Sequence, residues 1–399
     1  MNIIGIVCEY NPFHKGHAWQ IQAGRAALGE DSAVVCVMSG DYVQRGEAAV
    51  FSKFARAEAA CRCGADLVFE LPLPWALSSA EGFARGAVAM LSALGCTHLS
   101  FGSEYGALDK LELLASQLVE TNIIEEIKAK LAQQPRASFA SARQEVLAER
   151  LGDTAALLEK PNNILAVEYL KALRRLGSSM APFTVARRGS GHDEKGEGEF
   201  RSASELREML RRGQELQAHI PQGALEVFRR EMELGRCALD EERMELAIMS
   251  RLRMLEEKDY LLLPDGGDGA GRRLYAAVRT GVSLREIVDL AAARRMPMSR
   301  VRRMCLCAAL GIKKDMAQGL PDYARLLAAT ERGRKYLRDI DNLSTISVVT
   351  KPASVRHLGV GAQELFALGA SAHDLFTLLY PAKEERKAGQ DWRIGPKIV

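Results

Sequence analysis

The chain of 399 residues has no CxxC pair. Its two C-x-C pairs, Cys61/Cys63 and Cys305/Cys307, have no second pair at zinc-finger spacing. The eight cysteines sit mostly among Ala, Val and Leu, where a free thiol behaves as a small hydrophobe. A disulfide framework is therefore not expected, and a reducing, cytoplasmic location is. No apolar run of about 18 residues occurs, so no membrane span and no membrane partner are expected. Asn2–Cys8 is short and has no basic residue before it, so it does not read as a signal peptide. No internal repeat is evident. Net charge is only +3, which by itself names no partner.

Apolar residues make up 47% and charged residues 26%, which excludes disorder as the dominant state and supplies a core. A length of 399 residues suggests two or three domains. Short apolar runs alternate with helical patterns in the first half. Asn2–Cys8, Ala33–Met38, Asp66–Leu71 and Thr97–Phe101 read as strands, and Pro182–Arg187 as a fifth. Helices are expected over His17–Leu28, Lys53–Cys63, Ser79–Leu94 and Asn163–Leu176. Such alternation gives a parallel sheet covered by helices, with ligands at the carboxyl ends of the strands. Gly189–Glu199 is polar and Gly-rich and reads as a loop. Beyond about residue 215 strand signals fade and Leu, Ala, Met and Arg recur with a period near 3.6. The expected division is an α/β Rossmann-like catalytic domain, 1–215, followed by a mostly α-helical domain, 216–399, with a loosely held charged tail, Lys383–Val399.

His14-Lys15-Gly16-His17 follows a strand and opens a helix. A helix N-terminus offers free N–H groups and a positive dipole, which suit phosphate. Gly16 admits a close ligand, and two imidazoles can donate to oxygens as charge builds at phosphorus. The alternative is a pair of helix-capping histidines. In this setting the four residues resemble the HxGH signature of the nucleotidyltransferase superfamily, shared with class I aminoacyl-tRNA synthetases.

The flanking residues narrow the resemblance. Gly5 to His17 is similar to the opening of the tRNA(Met) cytidine acetate ligase family. So are Met38-Ser39-Gly40-Asp41-Tyr42-Val43-Gln44-Arg45-Gly46-Glu47, Phe69-Glu70-Leu71-Pro72, Phe101-Gly102-Ser103-Glu104, Lys160-Pro161-Asn162-Asn163 and Ser202-Ala203-Ser204-Glu205-Leu206-Arg207. Lys15, where many relatives have Asn, and Cys8, commonly Ala, are departures. The resemblance implies that acetate is activated with ATP to acetyl-adenylate, releasing pyrophosphate. The acetyl group then passes to the N4 amine of the wobble cytidine of elongator tRNA(Met). By the same resemblance the ATP-contacting positions are Val7, Cys8, Glu9, Tyr10, Asn11, Pro12, Phe13, His14, Lys15, Gly16, His17, Ala18, Trp19 and Gln20, with Gly102, Asn162 and Arg187.

The residues suggest individual roles. His14 and His17 bind phosphates and stabilise the α-phosphorus transition state. Gly102 leaves room for adenine or ribose. Asn162 offers amide donors and acceptors, or caps the helix before Ile164. Arg187 and Arg188 clamp the terminal phosphates, or Arg188 is a solvated charge. Ser202 and Ser204 open a helix whose N-terminus attracts phosphate, with Glu205 completing a capping box. Asp41 contributes to catalysis or helps hold the Mg²⁺ that accompanies ATP, or it simply pairs with Arg45. Glu70 is an active-site acid or a capping acceptor.

The charge is uneven. Residues 1–200 carry 20 basic and 24 acidic side chains, and residues 201–399 carry 34 and 27. Residues 272–314 hold eleven Lys and Arg against Glu286 and Asp289 alone. Arg272, Arg273, Arg294, Arg295, Arg300, Arg302 and Arg303 are the expected contacts for tRNA, with a solvated helical face as the alternative. DNA is not an expected partner. Two other functions fit parts of the pattern: a nucleotidyltransferase acting on a small metabolite, which needs no basic helical part, and a non-catalytic RNA-binding protein with a relic nucleotide site.

Overall fold

The computed structural model describes residues 2–134, 137–187 and 200–399. Arg188 and the Gly189–Glu199 segment lie outside the described residues. The apolar runs form strands β1 (Ile3–Cys8), β2 (Ala33–Ser39), β3 (Leu67–Leu71), β4 (His98–Ser103) and β5 (Ala181–Ala186). Helices α1 (Lys15–Leu28), α2 (Lys53–Arg62), α3 (Ala80–Ala93) and α4 (Pro161–Arg175) return the chain between them. The spatial order β3-β2-β1-β4-β5 is parallel throughout. The chain winds outward from β1 to β3, then crosses back so that β4 lies on the other side of β1. That reversal leaves a crevice at the carboxyl ends of β1 and β4, where open α/β sheets bind ligands.

Both faces of the sheet are covered, which is why its strands read as continuous apolar runs rather than alternating ones. Val35, Val37, Phe69 and Leu99 pack against α3 and α4, while Ile4, Ile6, Cys36 and Val68 face α1, α2 and the helix Gln222–Glu233.

The second half is mostly helical, as expected, but it also returns three strands to the sheet. Helices α5 (Ala203–Arg211), α6 (Glu241–Met254), α7 (Ala270–Thr280), α8 (Leu284–Ala291) and α9 (Met298–Leu310) precede a return to the sheet. Strand β6 (Tyr323–Ala329) pairs antiparallel with β3, and β7 (Ser347–Val349) and β8 (Lys397–Ile398) both pair parallel with β6. The sheet thus has eight strands. The tail Lys383–Val399 is not loosely held, because Asp391 is fully buried and β8 is hydrogen-bonded into the sheet. Helix α10 (Val360–Thr377) runs between β7 and the tail.

Helices α6 to α9 share their own core around Leu252, Leu274, Ile287, Val301 and Met304. That core also includes Tyr42, Leu73 and Leu77 from the first half and Phe376 from α10. The helical part is therefore seated on the loop after β2. Seven of the eight cysteines are buried and all are free, as their apolar neighbours suggest. No helix among the described residues is long and apolar enough to cross a membrane.

Candidate active site

A cavity of about 210 Å³ opens at the crevice. Val7, Cys8, Glu9, Tyr10, Asn11, His14, His17 and Gln20 line it from β1 and the start of α1. Gly102 contributes from β4, Asn162 from α4, Arg187 from the end of β5 and Ser202 from the start of α5. An adjoining pocket of about 50 Å³ adds Gly16 and Trp19. The structure thus brings together residues that lie up to 200 positions apart in sequence, from Val7 to Arg207.

Pro12, Phe13, Lys15, Ala18 and Ser204 do not line either space. Phe13 is fully buried behind the loop, with its ring edge-on to Tyr10 at 4.8 Å. The Lys15 amide donates to the His219 carbonyl at 3.0 Å, and Ser204 Oγ accepts from Arg207 at 3.2 Å.

The two histidines stack, with ring centroids 3.7 Å apart. The Gly16 amide donates to His14 Nδ1 at 3.0 Å, and the His14 amide donates to His17 Nδ1 at 3.2 Å. Both δ nitrogens act as acceptors, so each neutral ring carries its proton on Nε2. Burial and the positive charge of Arg187 push His14 down to about 3. Burial, His14 and Arg187 likewise hold His17 well below its ordinary value. The pair is therefore neutral at pH 7, and each ring has one N–H left to donate. Capping and ligand binding are not alternatives here: each ring caps α1 with one nitrogen and keeps the other.

The backbone of α1 contributes less than a helix N-terminus normally does. The Lys15 and Gly16 amides are taken by His219 and His14, and the His17 amide donates to the His14 carbonyl at 2.9 Å. The imidazoles, not these amides, are the donors facing the cavity.

Asn162 does not cap its helix. Its amide and that of Asn163 donate to Glu104, at 3.2 and 2.8 Å, so the cap comes from the end of β4. This leaves Asn162 Nδ2 to donate to Glu104 at 2.6 Å and Oδ1 to accept from Arg187 at 3.3 Å. Ser202 forms the expected capping box with Glu205, its Oγ accepting from the Glu205 amide at 3.3 Å.

Asp41 is not at the cavity. It is 4% exposed and faces the protein interior. One oxygen accepts from the Lys53 amide at 2.8 Å, and the other lies 2.7 Å from His373 Nδ1. Burial raises its pKa, but His373, Lys53 and Arg56 outweigh burial and hold it well below the usual carboxylate range. Its side-chain partners are the Lys53 amide and His373 rather than Arg45. Glu70 accepts from Lys53 at 2.8 Å and from Arg325 at 3.4 Å, so it is an ion-pair member rather than a cap.

Sequence reasoning missed several contributors. Glu47, Tyr169 and Arg207 line the cavity, beside Gln44 and Arg45 of the loop after β2 that the sequence places near the phosphate site. Arg56, fully buried, donates to the carbonyls of Ser39 and Gly40 and to that of Glu9. It ties the loop after β1 to the loop after β2. An arginine in the middle of an alanine-rich helix is its only trace in the sequence. Among the described residues, no group of three or more His, Cys, Asp and Glu is arranged to hold a metal ion.

The basic set divides on inspection. Arg273 donates to the carbonyls of Ala291 and Ala292, at 2.8 and 2.9 Å, closing the C-terminus of α8. Arg300 donates to the Asp265 carbonyl at 2.8 Å, and Arg303 pairs with the Asp265 carboxylate at 3.5 Å. Arg295 donates to the Ala137 carbonyl at 3.1 Å. Arg272, paired with Glu257, is 72% exposed along its side chain, and Arg302 is 44% exposed. Arg285 and Arg294 are also exposed.

Residues 1–391 match the HIGH Nucleotidyl Transferase family. The tRNA(Met) cytidine acetate ligase of Syntrophotalea carbinolica is 39% identical over 84% of this chain and 82% of its own length. That of a Thermoanaerobacter species is 34% identical over 100% of both. The crystal structure of Thermotoga maritima TmcAL in its apo form superposes with a TM-score of 0.94 at 30% identity over 100% of both chains. The form bound with alpha-thio ATP gives 0.92 at 31% identity, again over 100% of both. With its stacked HxGH pair at the switch point of the sheet, the chain belongs to the HIGH nucleotidyl transferases and, within them, to the tRNA(Met) cytidine acetate ligase family.

Proposed function

We propose that the protein is an ATP-dependent ligase that activates acetate as acetyl-adenylate and transfers the acetyl group to N4 of the wobble cytidine of elongator tRNA(Met). The observation that carries this reading is the pair of neutral, stacked imidazoles, each with a free Nε2–H, at a cavity built from the β1, β4 and β5 ends. Relatives named for this reaction match the chain from end to end.

The triphosphate lies along α1, and His14 and His17 donate to oxygens at the α-phosphorus. Neutral donors suit this task, since they polarise the oxygen without requiring a proton to be lost first. The carboxylate oxygen of acetate attacks the α-phosphorus and pyrophosphate leaves. Arg187, braced by Asn162, and the start of α5 at Ser202 take the outer phosphates. Gly102 and Gln20 flank the nucleoside. Mg²⁺ supplies charge neutralisation when it arrives on the triphosphate. Among the described residues, Glu9 and Glu47 are the carboxylates lining the cavity, and burial raises the pKa of Glu9. Asp41 acts at a distance, fixing the loop that carries Gln44 to Glu47.

Residues 1–215, reinforced by β6 to β8, carry the adenylation chemistry. The helices of 216–399 hold the RNA, with Arg272, Arg285, Arg294 and Arg302 among the exposed cations. A small-metabolite nucleotidyltransferase would need no such second part. Incubation with labelled acetate, ATP and tRNA(Met) tests the reading: label appears in the RNA, and its absence rejects it.

A further inference from the structure

A second cavity, of about 300 Å³, lies on the helical side of the active site. Arg211, Arg285, Arg302, Leu239, Val288 and Met298 contribute to its lining. Glu47 and Arg207 line both this cavity and the nucleotide cavity, so they form a shared wall. Among the described residues, Glu47 is the only carboxylate common to both.

The wall is built in an asymmetric way. Arg207 holds Glu47 Oε2 at 3.4 Å and also donates to the Asn11 carbonyl at 3.0 Å, within the nucleotide loop. Arg207 is only 14% exposed along its side chain, so that anchor is firm. The other oxygen, Oε1, is met by Arg302 at 3.5 Å, and Arg302 is 44% exposed. An exposed pair of this kind is weak and easily exchanged. Gly46 fixes the register: its φ is 80°, and a Cβ there would come 2.6 Å from the Arg303 backbone nitrogen. The loop thus presses on α9 immediately beside Glu47. The other acids of the second cavity, Asp240, Glu241 and Glu245, do not line the nucleotide cavity. Glu241 pairs with Arg211 at 3.0 Å, Glu245 accepts from the Leu284 amide at 2.8 Å, and Asp240 caps α6.

We infer that the second cavity receives the target base and that Glu47 is the residue that selects cytidine and takes its proton. The inference rests on the ligase reading above. A carboxylate oxygen accepts from the N4 amine of cytosine, whereas the same position of uracil is a carbonyl that it repels. An RNA phosphate draws Arg302 away and frees Oε1 to face the amine. The N4 lone pair then forms the N–C bond to the acetyl carbonyl carbon. Glu47 accepts the amine proton, and collapse of the tetrahedral adduct breaks the bond to the phosphate oxygen, which leaves with its electron pair as AMP. Selection and proton transfer thus fall to one side chain at the wall between the two substrates.

The test compares the full-length wild type, Glu47→Gln and Glu47→Asp, each checked for an unchanged melting profile. Acetyl transferred to RNA per ATP consumed falls at least about 100-fold in Glu47→Gln, the scale of a lost general base. Glu47→Asp recovers part of it. Binding to tRNA(Met) carrying cytidine or uridine at the wobble position is measured with a non-reactive acyl-adenylate analogue. The wild type prefers cytidine at least about 10-fold, and Glu47→Gln, which can donate to the uracil carbonyl, loses that preference. A Glu47→Gln enzyme with wild-type coupling and wild-type base preference overturns the inference and leaves the ligase reading standing. A wild-type enzyme that labels no RNA overturns the ligase reading itself.

Discussion

His14 and His17 occupy an environment that forbids their charged form. Each folded-state pKa is lowered, so the unfolded chain binds protons first. Above about pH 6.5, the ordinary histidine value, both states are neutral and the pair has no linkage cost. As pH falls from there towards about 3, where His14 titrates in the fold, stability is lost. His14→Asn, which keeps an acceptor at the Nδ1 position for the Gly16 amide, is expected to flatten the fall in melting temperature between pH 6.5 and 4, with calorimetry as the check. His17→Ala removes one positioned donor. Acetate-dependent ATP–pyrophosphate exchange is expected to drop by about 100- to 1,000-fold, the usual loss for such a donor. An unchanged exchange rate would remove His17 from the phosphate site. The motif itself was legible from four residues and their setting. The tautomers were not, because they depend on backbone amides whose directions only the folded loop fixes. Asp41 was misplaced for a related reason: its partner His373 is 332 residues away.

At the scale of elements, strands β1 to β4 were readable because a parallel sheet covered on both faces demands unbroken apolar runs. Strand β6 was not readable. Its Arg325 interrupts the apolar run of Tyr323–Ala329, and Leu and Ala favour helix. Arg325 is tolerated because it pairs with Asp391 at 2.7 Å, and Lys53 meets the same carboxylate at 2.6 Å. Burial opposes the charge on Lys53, yet Asp391 and Glu70 restore it and leave its pKa raised. The tail reads as loosely held by composition, but it carries Asp391, which together with Glu70 neutralises two buried cations. Asp391→Ala is expected to destabilise the fold by about 3–5 kcal/mol, the cost of orphaning buried charge, measurable by urea unfolding. A loss under about 1 kcal/mol would show that water reaches this cluster. Gly46→Ala places a methyl group against α9 in a left-handed conformation. It is expected to cost about 1–3 kcal/mol and to impair transfer more than adenylation.

The whole molecule joins a neutral-to-acidic nucleotide half to a basic helical half. Part of the local excess is tied to the protein itself: Arg273, Arg300 and Arg303 close helix ends and a loop, although Arg273 stays exposed. A charge run in a sequence does not say which arginines are spent on backbone carbonyls, since such acceptors leave no signature. Arg285 and Arg294 remain exposed and, among the described residues, without an ion-pair partner. Reversing both to Glu is expected to raise the KM for tRNA at least about 10-fold and to reduce the salt slope of binding by about one per lost phosphate contact. ATP–pyrophosphate exchange should suffer far less than transfer. Equal losses in both would place these residues in the general stability of the chain rather than at the RNA. The central claim, that one site makes an acyl-adenylate and a neighbouring surface delivers a cytidine to it, is tested most directly by mass analysis of tRNA(Met) nucleosides after reaction. N4-acetylcytidine that requires both ATP and acetate, at the wobble position, is the expected result. Unmodified cytidine after ATP has been consumed in the presence of acetate would contradict it.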